Sequence, residues 1–310
     1  MNSLSVLSNS RPGPGKPDIA DLFKKTAVFF PMLFCFTSHA VADNARDWQA
    51  IPIDTPLFFT YYLNTEAKTK DSRVSMDTGL LRFSYAFALG NGNIGSLQIL
   101  QPFSHVDASF HGNTPGAIRN GNGDTDIGLA INIFGGPALT PAQFAKWKPE
   151  TFLTAAFWVT APTGRYDKDA ILNTGENRWR FKPLIAFGHP FGKNWIEVNA
   201  WARFFTDNHQ YAGGHTFRED PGLGLEFHLS RNLTRSFWLS ADVFYTREGK
   251  TEIDGFRAGH GGDVWQAGIG GQWMFAPKDG VSFSYTGTVS KPAGDPDSRT
   301  FMVNYFHMFY

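Results

Sequence analysis

Apolar and polar positions alternate with a period of two along most of the chain beyond residue 42, and no helical period of any length appears there. The alternation falls into runs of about ten residues, the length a tilted strand needs to cross a bilayer. The runs are Leu57 to Glu66, Thr78 to Leu89, Ser96 to Ser109, Asp124 to Phe134, Thr151 to Ala161 and Glu176 to Phe187. They continue with Trp195 to Phe205, Gly222 to Leu229, Ser236 to Thr246, Val264 to Phe275, Val281 to Val289 and Thr300 to Tyr310. Twelve strands are an even number, as bacterial membrane barrels require.

The two faces of these strands differ in chemistry. Thr125, Ile127, Leu129, Ile131 and Ile133 share one face, while Asp124, Asp126, Gly128, Ala130 and Asn132 share the other. A Lys or Arg facing lipid at mid-membrane costs ~2–4 kcal/mol, so charge must sort inward. Arg178, Arg180 and Lys182 alternate with Trp179, Phe181 and Pro183. Glu197, Asn199, Trp201 and Arg203 alternate with Ile196, Val198, Ala200, Ala202 and Phe204. By the same pattern Glu226 and His228 oppose Leu225, Phe227 and Leu229, Asp242 opposes Ala241 and Val243, and Arg82 opposes Leu81 and Phe83. The inner face therefore carries charge of both signs, together with rings such as Trp158, Trp201, Trp238 and Phe244. Two readings stay open: the charges pair across the lumen and fill it, or they line a narrow passage.

The connections predict an orientation. Gly90 to Asn93, His189 to Asn194, Ser230 to Arg235 and Ala276 to Gly280 are short. Lys68 to Asp77, His111 to Gly123, Pro162 to Gly175, Asp207 to Asp220, Arg247 to Asp263 and Ser290 to Ser298 are longer and polar. Short periplasmic turns alternating with long external loops are the outer-membrane pattern, with both termini periplasmic. Gly135 to Glu150 breaks it, being long on the short side, and is predicted to hold a small helix around Pro141 to Lys146. A soluble β-sandwich has no reason to alternate its loops in this way.

Composition agrees. Charged residues make up 18% of the 310, against about 25% in an average soluble domain, while aromatic residues reach 15%. Lys+Arg and Asp+Glu both number 28, so the chain lacks the basic footprint of a nucleic-acid binder. The longest apolar stretch, Ala27 to Phe36, is well short of the ~20 residues of a transmembrane helix.

Residues Met1 to Ala42 read as a secretory leader, with Lys24 and Lys25 before a short apolar core and Ala40-Val41-Ala42 as the small-residue cleavage site. The mature domain is then 43–310. The single cysteine, Cys35, leaves with the leader, so disulfides and thiolate chemistry are not expected.

Chemical motifs are sparse. Gly-x-Ser-x-Gly, His-Glu-x-x-His and Walker sequences are missing. Outer-membrane phospholipases are also built on about twelve strands, so a lipid-modifying enzyme is the alternative function, and His105, His228 and His307 are its candidate histidines. Asn120 to Asp126 has the look of a calcium loop but lacks the downstream acidic ligand. No cofactor or metal is expected.

One stretch is more specific. Thr163-Gly164-Arg165-Tyr166-Asp167, followed by Asn173-Thr174-Gly175-Glu176-Asn177-Arg178-Trp179, resembles the P-T-G-x-Y-D and N-x-G-x-N-R-W signature of the outer-membrane transporter family named for the meta-pathway of phenol degradation. Gly121 to Gly128 is similar to the same family's G-x-G-D entry into a strand. The resemblance implies an outer-membrane channel connected with catabolism of aromatic or other hydrophobic compounds, and it transfers no substrate residue.

The expectation is an all-β, up-and-down transmembrane barrel of about twelve strands in the Gram-negative outer membrane. It would pass small hydrophobic or aromatic solutes past Trp158, Trp201 and Trp238, with electrostatic selection by Arg178, Arg180, Lys182 and Arg203. Arg82, Glu197, Glu226, His228 and Asp242 complete the lumen set. The expected partners are outer-membrane lipid, the solute, and the insertion machinery, which would read the terminal strand ending at Tyr310. In that strand Met302, Phe306, Met308 and Tyr310 fit the alternating apolar signal and Asn304 does not. A plugged barrel serving structure or adhesion is the remaining alternative.

Overall fold

Alternation closes into a cylinder. The structure, a computed structural model, describes residues 43–110, 116–170 and 172–310; the leader expected at 1–42, with Cys35, lies outside the described residues. The strands in chain order are β1 (Thr55–Lys68), β2 (Ser72–Ala88), β3 (Ile94–Phe110), β4 (Ala117–Asn122), β5 (Thr125–Phe134), β6 (Phe152–Ala161), β7 (Arg180–Phe191), β8 (Asn194–Phe205) and β9 (Asn208–Tyr211). They continue as β10 (His215–Glu219), β11 (Gly222–Asn232), β12 (Phe237–Glu248), β13 (Thr251–Ile253), β14 (Phe256–Gly259), β15 (Gly262–Met274), β16 (Asp279–Ser290) and β17 (Asp297–Met308). Each barrel strand pairs antiparallel with its neighbours, and β1 closes the ring on β17 from Leu57↔Met308 to Lys68↔Asp297. Closure satisfies every strand edge, which hydrocarbon demands.

β4 and β5 share one position in the wall: both pair with β3, β4 along Phe103 to Ala108 and β5 along Gly95 to Leu100. Counting them once gives a twelve-stranded barrel, and each of the twelve runs in the sequence corresponds to one of its strands. Ile127, Leu129, Ile131 and Ile133 are exposed on the outside, as are Ile185, Phe187, Leu225, Phe227 and Leu229. Rings band both ends of this apolar belt. Tyr245 and Trp265 meet at 4.9 Å on the loop side, and Trp273, Phe275 and Tyr305 form a chain of ring contacts on the turn side.

Three expectations are corrected. The connection placed at Lys68 to Asp77 shrinks to the three residues between β1 and β2, because the alternation extends through Ser72, Val74 and Met76. The external connections also carry structure of their own: β9, β10, β13 and β14 form a separate four-stranded sheet around Phe217 and Ile253. Arg178 lies two residues before β7 rather than within a barrel strand. The long connection on the turn side does hold a helix, α1 (Pro141–Phe144), with a capping box between Thr140 and Gln143.

The terminal strand explains its own irregular member. Phe301, Val303 and Tyr305 are the exposed, outward set, whereas Met302, Asn304 and Phe306 are buried on the inner face. Asn304 therefore breaks no lipid-facing pattern.

Candidate functional site: the lumen and the segment inside it

The twelve predicted lumen residues fall into two inward-facing groups, one near the middle of the barrel and one beneath the external loops. What the sequence alone does not show is that residues 43–54, ahead of β1, fold back among the first group.

In this segment Asp43 and Trp48 are each 8% exposed and Ala45 2%. Its residues touch the inner faces of β2, β5, β6, β7, β8, β11 and β12. The Arg46 backbone N–H donates to Glu197 Oε2 on β8 at 2.9 Å, and the Arg46 guanidinium donates to Ser230 Oγ at 2.8 Å and Asn232 Oδ1 at 2.6 Å on β11. The same guanidinium lies 4.8 Å from the Trp238 ring on β12. Asp47 is 3.9 Å from Arg82 on β2, and Asp43 is 4.0 Å from Lys182 on β7. Trp48 donates its indole N–H to Asp43 at 3.1 Å and packs with Ala130, Phe152, Ala156, Leu184, Ala186, Trp195 and Trp201. Arg46 adopts a left-handed backbone, φ 72°. A non-glycine residue held there costs ~1–3 kcal/mol, and persists because its surroundings over-determine it.

Beneath the segment, the wall residues bind one another. Glu226 accepts from Trp201 Nε1 and from Asn199, both at 3.0 Å. His228, about 1% exposed, pairs with Asp242 through Nδ1 at 2.7 Å, and its Nε2 faces Glu226 at 3.7 Å. Ser240 donates to Asp242 at 2.9 Å. The order is thus Ser–Asp–His, with the carboxylate between hydroxyl and imidazole. A hydrolase needs the imidazole in the middle.

Glycine lets the large rings lie flat on the wall. A Cβ on Gly224 would sit 2.1 Å from the Trp201 ring, and one on Gly128 2.5 Å from Trp158. Trp201 and Trp238 are thereby buried under the N-terminal segment, not free in an open passage. Trp158, half-buried, borders both the cluster around Trp48 and a second apolar patch on the opposite wall. That patch comprises Tyr61, Leu80, Leu100 and Met302, with Phe59 and Leu63 against it, from β17, β1, β2 and β3. Arg82 is held at its rim, donating to Gln98 at 2.9 Å and to the Tyr61 hydroxyl at 3.2 Å.

The second group lies at the loop end. Arg178 bonds Glu176 at 2.9 Å and Glu219 at 2.6 Å, sandwiched between the Phe205 and Phe217 rings at 4.2 and 5.0 Å. Arg180 bonds Glu176 at 3.0 Å, Thr160 at 3.0 Å and Asp126 at 3.5 Å. Arg203 stacks 4.6 Å over Trp201, with Lys182 5.4 Å from the same ring. The row of basic residues is thus interleaved with carboxylates.

The two glycine-rich stretches singled out in the sequence meet here. Asp124 accepts the backbone N–H groups of Gly164 and Glu176, each at 2.8 Å. Gly164 and Gly175 approach so closely that a Cβ on Gly164 would lie 2.6 Å from the Gly175 Cα. Tyr166 accepts from Asn208 at 2.9 Å and donates to the Gln210 carbonyl at 3.1 Å. These residues fold the loop inward and fasten it to the barrel rim. The glutamate that neutralises Arg178 and Arg180, Glu176, belongs to the same stretch. Among the described residues no group of three or more His, Cys, Asp or Glu side chains is placed to hold a metal ion.

Comparison with known proteins agrees with this geometry. The family model described as "Putative MetA-pathway of phenol degradation" matches residues 61–295. A solved COG4313 outer membrane channel from Pseudomonas putida F1 superposes with a TM-score of 0.76 at 21% identity, covering 86% of this chain and 100% of that one. The transport unit of the autotransporter AIDA-I from Escherichia coli gives 0.55 at 8% identity, over 92% and 99% of the two chains. The translocator domain of the autotransporter NalP from Neisseria meningitidis gives 0.53 at 12% identity, over 92% and 98%. At these identities the likeness is one of fold. No curated protein matches the chain.

Proposed function

The chain belongs to the MetA-pathway of phenol degradation family, and from that premise we propose that it is an outer-membrane channel for passive entry of small hydrophobic or aromatic molecules, closed in this state by residues 43–54. The division of the lumen wall supports this reading. The segment is seated chiefly on the polar and charged side, against β7, β8, β11 and β12, with Asp47 reaching Arg82 on β2 and Trp48 packed on β5 and β6. The opposite side, β17–β1–β2–β3, turns Tyr61, Leu80, Leu100, Met302, Phe59 and Leu63 inward as an apolar cluster, its first four members buried while the segment is seated, that requires no ion of its solute. Trp158 stands where the two sides meet. An aromatic molecule follows the apolar side, while the paired Arg178, Arg180 and Arg203 at the entrance filter by charge. The chain reaches the membrane after removal of residues 1–42, its exterior belt contacts lipid, and the outward Phe301, Val303 and Tyr305 present the terminal strand to the insertion machinery.

Liposome swelling tests the reading. Vesicles containing the protein with residues 43–50 deleted should admit phenol-sized aromatic solutes faster than vesicles containing the intact mature chain, and a leucine-to-aspartate change at Leu80 or Leu100 should slow the aromatic solute most. A second reading, a permanently plugged structural barrel, draws on the number of contacts Arg46 makes. It requires both proteins to be equally impermeable.

A further inference from the structure

We propose that cleavage between Ala42 and Asp43 does more than release the chain: the α-ammonium it creates on Asp43 is the missing cation of the lumen, and locks the N-terminal segment in place. The inference rests on the channel reading above and on Ala40-Val41-Ala42 as the processing site.

Around the segment lie five carboxylates: Asp43, Glu197, Glu226 and Asp242, which are buried, and Asp47, which is partly exposed. Facing them are Arg46, Arg82 and Lys182, and His228 held between Asp242 and Glu226. Even with His228 charged, the acids exceed the bases by one. An uncompensated charge away from water is among the costliest features a fold can carry.

Asp43, the first residue of the segment, is buried among these groups. Its carboxylate has Lys182 at 4.0 Å and the Trp48 indole at 3.1 Å, yet Asp47 and Glu226 lie close enough to oppose its ionisation. Asp47 also accepts the Asn44 N–H at 3.1 Å, so two carboxylates converge on the first turn of the segment. An α-ammonium on Asp43 adds a cation at this first turn, beside the Asp43 and Asp47 carboxylates, and brings the count to balance. An amide at the same place carries no charge.

The test uses the absence of cysteine beyond residue 42. The mature chain carrying Ala45→Cys is refolded in three forms: with a free N-terminus at Asp43, with that amine carbamoylated by cyanate at mildly acidic pH, and with four neutral residues added before Asp43. Ala45 is buried, so a membrane-impermeant maleimide reports whether the segment is seated. The free form should label at least tenfold more slowly than either capped form, while Arg46→Ala should label fast with any N-terminus. Gln49→Cys serves as a second reporter if Cys at position 45 prevents folding. Equal protection of free and capped chains overturns the proposal. Mass spectrometry of protein taken from outer membranes should show Asp43 first; another first residue overturns it through its processing premise. Free and capped chains that differ in labelling but conduct nothing in any form would leave the lock standing and remove the channel reading.

Discussion

At the scale of single residues, the barrel interior is organised by pairing. Burial drives the Asp43 carboxyl up to about 6, against the opposing pull of Lys182, with Glu226 and Asp47 adding to the rise. A carboxyl whose pKa is higher in the seated state than in the released one favours seating when protonated. That contribution is present at low pH and is lost as pH rises from about 4 to about 6. In a chain capped at Asp43, the maleimide labelling rate of a cysteine at position 45, divided by that of the same cysteine in the unfolded chain at the same pH to remove the rise in thiolate, should therefore increase across this window and level off above it. A free α-ammonium at the same residue should flatten the dependence. A rate that instead falls with rising pH would show that the sign of this coupling is wrong.

At the scale of elements, two devices hold the site: glycine beneath a ring, and a loop fastened by one carboxylate. Gly224→Ala places a methyl group against Trp201, which must leave its bond to Glu226. Overpacking of this kind costs ~1–3 kcal/mol, seen as a lower temperature for conversion of the folded, fast-migrating species on a denaturing gel. An unchanged transition would mean that Trp201 can move freely. Asp124→Ala removes the acceptor shared by the Gly164 and Glu176 N–H groups. Limited proteolysis should then cut the segment between β6 and β7 in intact cells, where the wild-type chain resists; equal resistance would assign the fastening to Tyr166 and Asn208 instead.

This is also the scale at which sequence and structure part company. Period-two alternation locates all twelve wall strands and sorts Arg82, Lys182, Glu197, Trp201, Arg203, Glu226, His228 and Asp242 to the inner face, because lipid enforces that sorting residue by residue. It does not place residues 43–54. Asp43, Arg46, Asp47 and Trp48 form a turn with no periodic signal, and their partners are more than a hundred residues away in sequence for Glu197, Ser230 and Asn232. A charged and aromatic cluster directly after a cleavage motif was the available hint. The pairing of Arg178 with Glu219 was hidden for a similar reason: the short strands of the loop sheet read as polar connection. The terminal strand was misleading in the opposite way, since apolar residues on both faces concealed which face meets lipid.

At the scale of the molecule, the low charge content and high ring content become one fact. Rings and aliphatic side chains cover the exterior, and the charge that remains is gathered at the loops and around the lumen. Ile131→Arg, on the exposed belt, should cost ~2–4 kcal/mol if it lies near the bilayer midplane, measured by urea-driven unfolding in lipid vesicles. A neutral effect would contradict the assignment of that face to lipid.

The central claim is that a passable lumen is closed by its own N-terminal segment. Single-channel recording in planar bilayers tests it most directly, comparing the mature chain with the form lacking residues 43–50. The expected result is a low, mostly closed conductance for the mature chain and a stable, severalfold larger conductance for the deleted one. Equal conductance from two properly folded proteins, whether both open or both silent, would contradict it.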